Sequence, residues 1–501
     1  MKSKTDLFQL IKAMSKSEKR YFTLDAQKSG RKDARYLELF QTINAQDTYD
    51  EAALKTRFPN LHTDKAYLYD AILRSMRDYR SANSYAARIK EMIMDAKYLY
   101  ERGLYEQSEE RLLSAKELAE ELGDQLSAIE LNKEYRRLLK YIKREGYENE
   151  LEQLITESAD SLEKLKQELF YLDIYDQLST EIIKNRQELK EEQKKVLKKR
   201  FISVLNKNNE ETLILQNKLK FNQCLAFFYQ LLNDPVKVHE SYNKIINYWD
   251  AIPKYKSEEF NRYIVDISNL IQTFISNGNY SNQLNQLLVR LENERPASPH
   301  NQNLLFQKIT SYRLLFSINT GDFAEILSLV RRIERGLKQY DVSLNTELNI
   351  IFNVSVLSFM AGKYDLCQQW ANKIIQIKKL SIRQDIQNAS RIIYLLATLE
   401  LDDFESTEIC IRNTNRYFIK FSKHEKFNIN ILNFVRRMHS GTSIQIRNSY
   451  RQLKEYIKSF QNSREKAPLG IDELIIFWLE SKESNTSISQ IIKYNLSKDN
   501  N

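Results

Sequence analysis

NVSVLSFMAGKYDLCQQWANKII, residues 353–375, carries the plan of the whole chain. An apolar helical run ends at Gly362-Lys363-Tyr364, and a second run with apolar residues at helical spacing begins at once. The glycine can take a positive φ and lets two helices approach, while the aromatic two residues later covers the open end of the hairpin. The same turn recurs as Gly278-Asn279-Tyr280, Gly321-Asp322-Phe323 and, more weakly, Asp402-Asp403-Phe404, at spacings of 43, 41 and 40 residues. Earlier copies are Gly103-Leu104-Tyr105, Glu145-Gly146-Tyr147 and Asn233-Asp234-Pro235. A helix with Leu112, Ala115, Ala119 and Leu122 on one face follows Gly103, and Gly123 reads as its left-handed stop. Periodic hairpins of this kind bury one face each on the next, which predicts an all-α stack of helix pairs with a period near 42. Between Tyr147 and Asn233 the turn signal disappears, and the charge-dense stretch Glu188–Arg200 reads as long helix.

Composition agrees. The 501 residues contain 10 Gly and 6 Pro, about a quarter of average usage, so helix breakers are rare. The nearest pair of glycines is Gly321 and Gly336. Phosphate-cradling loops need glycines a few residues apart, so P-loop and Rossmann sites are excluded. Three widely spaced cysteines, Cys224, Cys367 and Cys410, imply no disulfide framework. Asp6–Met14 is interrupted by Gln9 and Lys12, which makes it an amphipathic helix and a poor signal peptide. No apolar stretch is long enough to span a membrane, so the expected location is cytoplasmic.

Three regions follow. Residues 1–84 form a basic N-terminal helical region, with helices expected at Asp6–Met14, Lys16–Gln27, Ala34–Asn44, Asp50–Phe58 and Asp64–Ser81. Ser15 and Glu18 make a capping box, and Thr63 or Asp64 can cap the last helix. Gly30 and Pro59-Asn60 mark turns. Residues 85–462 are the repeat array, irregular around 150–230, with one proline-containing loop at Glu294–Asn303. Residues 463–501 follow the break Lys466-Ala467-Pro468-Leu469-Gly470. There Asp472 can cap a helix carrying Leu474, Ile475 and Trp478, and a short helix around Ile488, Ile491 and Ile492 precedes a frayed Ser497–Asn501. This region reads as a cap on the last repeat, which an array requires.

The segments Gly278–Leu291, Gly321–Ile333 and Gly362–Ile375 resemble the turn and second helix of tetratricopeptide repeats. The usual period there is 34 residues, so these units are elongated. The small residue expected five positions after the turn is Ser108, Cys367 or Thr407 in three repeats, and Gln283 or Ile326 in two others. The resemblance implies an α-α superhelix whose concave groove, lined by the first helix of each pair, holds a peptide or partner helix. In such proteins an Asn on the first helix bonds an extended peptide backbone. Asn269 and Asn353, each nine residues before its turn glycine, match that place; Tyr312 and Ile393 occupy it in other repeats. The Lys/Asn set that clamps a C-terminal carboxylate is not matched, since the corresponding pairs are Ser268/Gln272, Ser311/Leu315 and Phe352/Val356. Both Asn can equally be plain surface polarity.

Chemistry-bearing residues are otherwise scattered. His62, His239, His300, His424 and His439 have no metal-ligand spacing, so no metal or cofactor is expected. Carboxylates alternate with Lys and Arg, as on solvated faces. No catalytic set stands out, which points away from an enzyme. Residues 1–35 hold ten basic and four acidic side chains, within a net charge of +9. Arg74, Arg77, Arg80 and Arg88 are interleaved with Tyr67, Tyr69, Tyr79 and Tyr85, and Arg77 and Arg88 share a face if the helix is continuous. Arginine beside aromatics suits phosphates and bases, although Asp70 and Asp78 weaken the field and local packing explains the cluster equally. The leading expectation is a non-enzymatic scaffold for a protein or peptide partner. The alternative is a regulator whose N-terminal region binds nucleic acid while the repeats sense a ligand.

Overall fold

The computed structural model describes residues 5–28, 35–81, 84–142, 145–184, 189–205, 209–377, 383–401, 403–421, 426–440, 443–461 and 468–499. Gly30, Glu188, Asp402, His424, Lys466 and Ala467 lie outside the described residues. The protein is all-helical: among the described residues there are 25 α-helices, two short 3-10 turns and no strand. Chain packing separates two compact units, Met1–Thr273 with Pro296–Pro299, and Phe274–Arg295 with His300–Asn501.

The first unit opens with α1 (Asp6–Ala13), α2 (Lys16–Lys28), α3 (Arg35–Ala45), α4 (Glu51–Arg57) and α5 (Leu61–Ser81). These bury a core of their own that includes Leu7, Ile11, Phe22, Phe40, Leu68 and Ile72. The capping box at α2 is present: Glu18 N donates to Ser15 Oγ at 3.2 Å, and Ser15 N donates to Glu18 Oε2 at 2.7 Å. Helix α5 begins three residues earlier than expected, because Leu61 is buried in this core and the helix starts with it. Asp64 is then inside the first turn, paired with Arg35 at 3.1 Å, and caps nothing.

The rest of the unit is α6 (Tyr85–Glu101), α7 (Tyr105–Leu122), α8 (Gln125–Ile142), α9 (Tyr147–Lys184), α10 (Glu191–Leu205), α11 (Leu215–Leu231), α12 (Pro235–Ala251), α13 (Pro253–Glu258) and α14 (Phe260–Ser276). Helix α9 runs for 38 residues, and that length is why the turn signal vanishes after Tyr147. The start of α6 is closed from far along the chain. Ser84 Oγ donates to Glu258 Oε1 at 2.7 Å, and Tyr85 N donates to Glu258 Oε2 at 2.9 Å. A carboxylate at the positive end of a helix is favourable, so α13 fastens the start of α6.

The second unit contains α15 (Asn282–Asn293), α16 (Pro299–Thr320), α17 (Ile326–Gln339), α18 (Leu344–Met360), α19 (Tyr364–Ile375), α20 (Gln384–Glu400), α21 (Phe404–Phe421), α22 (Lys426–Ser440), α23 (Ser443–Gln461), α24 (Ile471–Ser484) and α25 (Ile488–Asp499). Its core is continuous from Leu314 to Ile492. Helix α20 is buried on every side, polar Gln387, Asn388 and Ser390 included. Helix α24 is capped by Gly470 at φ 70, with Asp472 in its first turn instead of at the cap. The C-terminal helix continues through Ser497 to Asp499, past the expected fraying point.

The recurring turn is a left-handed residue that closes the helix before it. At Gly362 (φ +68), Lys363 N donates to Ser358 O at 2.9 Å and Gly362 N donates to Phe359 O at 2.9 Å. This doublet satisfies two end carbonyls that would otherwise lack donors. Asn233 (φ 58) makes the same doublet, with Asp234 N to Tyr229 O at 3.0 Å and Asn233 N to Gln230 O at 3.1 Å. The small residue after the turn is also explained. Ser108 Oγ donates to Ala96 O at 2.8 Å inside the hairpin, and Cys367 and Thr407 are buried at the matching places.

Gly321 differs from Gly362 in its surroundings. A Cβ at Gly362 meets nothing within 4 Å, whereas at Gly321 it comes within 3.0 Å of the Ser489 carbonyl and 3.2 Å of Ile492 Cβ. Both substitutions pay about 1–2 kcal/mol for a left-handed residue with a side chain. Gly321→Ala must also push α25 aside. Chemical denaturation of the two variants is therefore expected to show the larger loss for Gly321→Ala, by about 1 kcal/mol or more. Equal losses would mean that α25 does not pack on that turn.

Candidate functional site

Two groups of packed residues stand out, one in each unit. In the second unit the first helices of successive pairs, α16, α18, α20 and α22, are covered near their turn ends by the C-terminal helices. Trp478 of α24 is 0% exposed. Its ring lies 6.5 Å from that of Phe359 on α18, 6.1 Å from Phe434 on α22 and 5.9 Å from Tyr450 on α23. Its indole Nε1 donates to Glu400 Oε1 at 2.9 Å, while Lys482 Nζ, one turn on, donates to Glu400 Oε2 at 2.7 Å. The Tyr364 hydroxyl bonds the same carboxylate. Glu400 thus has both oxygens engaged at a side chain only 9% exposed. Burial, with the Glu400 charge nearby, pushes the Tyr450 hydroxyl up to about 12. Further along, Ser489 Oγ of α25 donates to Gly321 O at 2.6 Å. The C-terminal helices therefore run back across the turn ends of four helix pairs.

In the first unit, α9, α11 and α14 bring a polar cluster together. Asp266 on α14 is 3% exposed. Its carboxylate accepts from Gln223 Nε2 at 3.0 and 2.8 Å and from Trp249 Nε1 at 2.8 Å. Burial nevertheless raises its pKa above the ordinary value. Lys220 lies with its ammonium 4.2 Å from the centre of the Tyr175 ring, and among the described residues no carboxylate stands within ion-pairing distance of it. Burial, reinforced by Arg262, lowers the Lys220 pKa. Arg262 Nη1 donates to the Tyr255 hydroxyl at 2.8 Å and stands 3.5 Å from Glu259. Most of these groups are engaged with one another: the Asp266 oxygens are taken by Gln223 and Trp249, and the Tyr175 ring also stacks on Phe227 at 4.8 Å. A separate cavity of about 540 Å³ between α7, α8 and α9 is lined by Lys116, Glu157, Asp160 and Lys164. Its charges are largely spent on each other, with Lys116–Glu157 at 2.6 Å and Lys164–Asp160 at 2.5 Å.

The residues singled out from sequence are distributed unevenly relative to these groups. Asn269 is on α14, beside Asp266, but its Nδ2 donates to the Tyr242 hydroxyl at 3.0 Å, so it is engaged within the fold. Asn353 is half-buried on α18. Arg74, Arg77 and Arg80 are exposed on α5, and Arg88 is exposed on α6. Helix α5 and helix α6 are not continuous: Ser84 is extended (φ −132, ψ 123) and starts a new helix, so the shared face expected for Arg77 and Arg88 does not form. Tyr79 packs on Tyr21 at 5.1 Å and Tyr67 on Tyr36 at 5.4 Å. These rings are spent on holding α5 to α2 and α3.

Asp266, Gln223, Lys220 and Arg262 were not anticipated from sequence. The available signal was a charge inside an apolar run, Asp266 between Val265 and Ile267, one helical turn after Arg262. Glu400 had no signal, because its partners are 78 and 82 residues away. Comparison with protein-family models, with curated proteins and with solved structures found no match to this chain.

Two outcomes test this description. All three cysteines are buried, and burial pushes Cys224 up to about 12, Cys410 up to about 11 and Cys367 upward as well. A disulfide reagent is therefore expected to label none of the three in the folded chain and all of them in denaturant; rapid labelling of Cys224 or Cys367 without denaturant would contradict the packing. Asp266 holds its proton more tightly in the folded state than in the unfolded chain. That contribution to stability is present at low pH and is lost as pH rises above the ordinary value of 3.8 and through the raised one. Asp266→Asn removes it, and Gln223 can turn its unpartnered Oε1 toward the new amide. The melting midpoint of Asp266→Asn relative to the parent is expected to rise with pH across this range. A pH-independent difference would show that Asp266 titrates normally.

Proposed function

We propose that this chain is a non-enzymatic interaction scaffold of helical-repeat type, built on a plan similar to tetratricopeptide proteins, which holds a peptide or partner helix against the inner faces of its first helices. The observation that carries this reading is α24. An amphipathic helix is seated across α18, α20 and α22 through a buried Trp and a shared carboxylate, so the surface has the shape and chemistry of a helix receiver. The cluster around Lys220, Gln223 and Arg262 supports it as a polar counterpart in the first unit. Three unpaired thiols suit the reducing conditions of the cytoplasm, and no helix among the described residues is long and apolar enough to cross a membrane.

A second reading has one observation in its favour. Arg74, Arg77 and Arg80 are exposed on one helix and make no ion pair among the described residues, which leaves them available to the phosphates of a nucleic acid. Binding to duplex or single-stranded oligonucleotides must then appear at low salt and weaken steeply as salt rises. An electrophoretic shift absent at low ionic strength would remove this reading.

The scaffold reading is tested by photo-crosslinking in cells. A benzophenone amino acid replacing half-buried Tyr175 on the inner face is expected to trap one discrete protein partner. The same group replacing exposed Lys195 on α10 is expected to trap none. An identical pattern from both positions, or no adduct from Tyr175, would overturn it.

A further inference from the structure

We propose that the seat of α24 is an exchangeable site, and that its external ligand is an amphipathic helix that presents an indole and, four residues later, an ammonium to Glu400. The proposal rests on the scaffold reading and names both the partner's chemistry and the device that regulates access. The first support is the pattern of α24 itself. Its buried residues are Ile471, Leu474, Ile475, Trp478 and Leu479. These fall at i, i+3, i+4, i+7 and i+8, the set of a helix lying in a groove, and Ile476 and Phe477 beside them are partly buried against the same core. Helix α20, by contrast, is buried all round and belongs to the framework.

The second support is how α24 is joined to the chain. Left-handed residues bracket it, Leu469 (φ 60) and Gly470 (φ 70) before it and Asn485 (φ 52) after it. Leu469 in that region is strained for a branched side chain with a Cβ. The third support is the seat. Helices α18 to α23 each pack directly on their neighbours, and this packing positions Phe359, Glu400, Phe434 and Tyr450 under α24. Glu400 is what makes the seat selective. It is a nearly buried carboxylate whose charge is met by Trp478 Nε1 and Lys482 Nζ. With α24 gone, among the described residues only the Tyr364 hydroxyl would remain to it. A helix that brought apolar side chains but no donors would leave that charge buried and unpaired, which is costly.

In the resting chain α24 is the ligand. Tethering gives it an effective concentration in the millimolar range, so an outside helix competes poorly until α24 is weakened. The test uses the full chain carrying Trp478→Ala and Lys482→Glu, and a fluorescent synthetic peptide of residues 468–487 with the native sequence. The variant is expected to bind the peptide saturably, about 100-fold more tightly than the parent chain. A peptide carrying Lys482→Glu is expected to bind the variant poorly, and Glu400→Gln in the chain is expected to restore its binding. If the doubly substituted chain loses cooperative folding, Lys482→Glu alone, which keeps Trp478, is used in its place. Loss of folding in both chains would show α24 to be part of the framework and overturn the proposal. So would a folded variant that binds the peptide no better than the parent. Either result, together with a partner still trapped from Tyr175, removes the exchangeable seat and leaves the scaffold reading standing. A bound peptide with no partner trapped removes the scaffold reading instead.

Discussion

The helix pairs that meet at Gly103, Asn233, Gly278 and Gly362 depend on ending one helix and starting the next within a few residues, with end carbonyls supplied with donors at the turn. A residue in the left-handed conformation does this. Gly103, Gly278 and Gly362 are such residues, and Asn233 takes the place of glycine in the Asn233-Asp234-Pro235 turn. The doublet of backbone bonds at each turn closes the preceding helix and reverses the chain. Reversal keeps consecutive helices antiparallel and adjacent, so each apolar face finds its partner on the next pair. Where no such turn occurs, the chain continues straight, and the 38-residue α9 is the consequence.

Beyond the hairpin contacts, each unit brings polar groups together from several helices. The two units do so differently. In the second, apolar side chains and one carboxylate are covered by a helix from the same chain. In the first, the cluster carries hydrogen-bonding groups, and the buried charge of Asp266 is held by Gln223 and Trp249. A charge in an apolar layer is tolerated only when its oxygens have donors. Asp266 and Glu400 both meet this condition with an indole N–H and one further nitrogen donor. The first unit supplies it from Gln223 and the second from Lys482.

Local rules explain what was legible. The Ser15–Glu18 capping box, the turn glycines and the small residues Ser108, Cys367 and Thr407 all act within a few residues of themselves, and the structure has them as expected. The failures are also local, but were set by distant neighbours. Helix α5 starts at Leu61 because that side chain enters a core made by other helices, which displaces the cap expected at Asp64. Helix α6 starts at Ser84, under a carboxylate 174 residues away, so the Arg74–Arg88 stripe is cut in two. Asn269, chosen for its place before a turn, is on α14 beside Asp266, yet its amide is taken by Tyr242.

By itself the sequence determined the class of structure, the position of most turns and the helix carrying Leu474, Ile475 and Trp478, because φ preferences and helical spacing are fixed by the residues concerned. Only the tertiary structure decided which surface α24 covers and which charges meet there. The hydrophobic effect is non-directional, so the apolar stripe of α24 requires a partner without specifying one. What selects the partner is Glu400, with Phe359, Phe434 and Tyr450 around it, and these residues become a single surface only after three helix pairs have stacked.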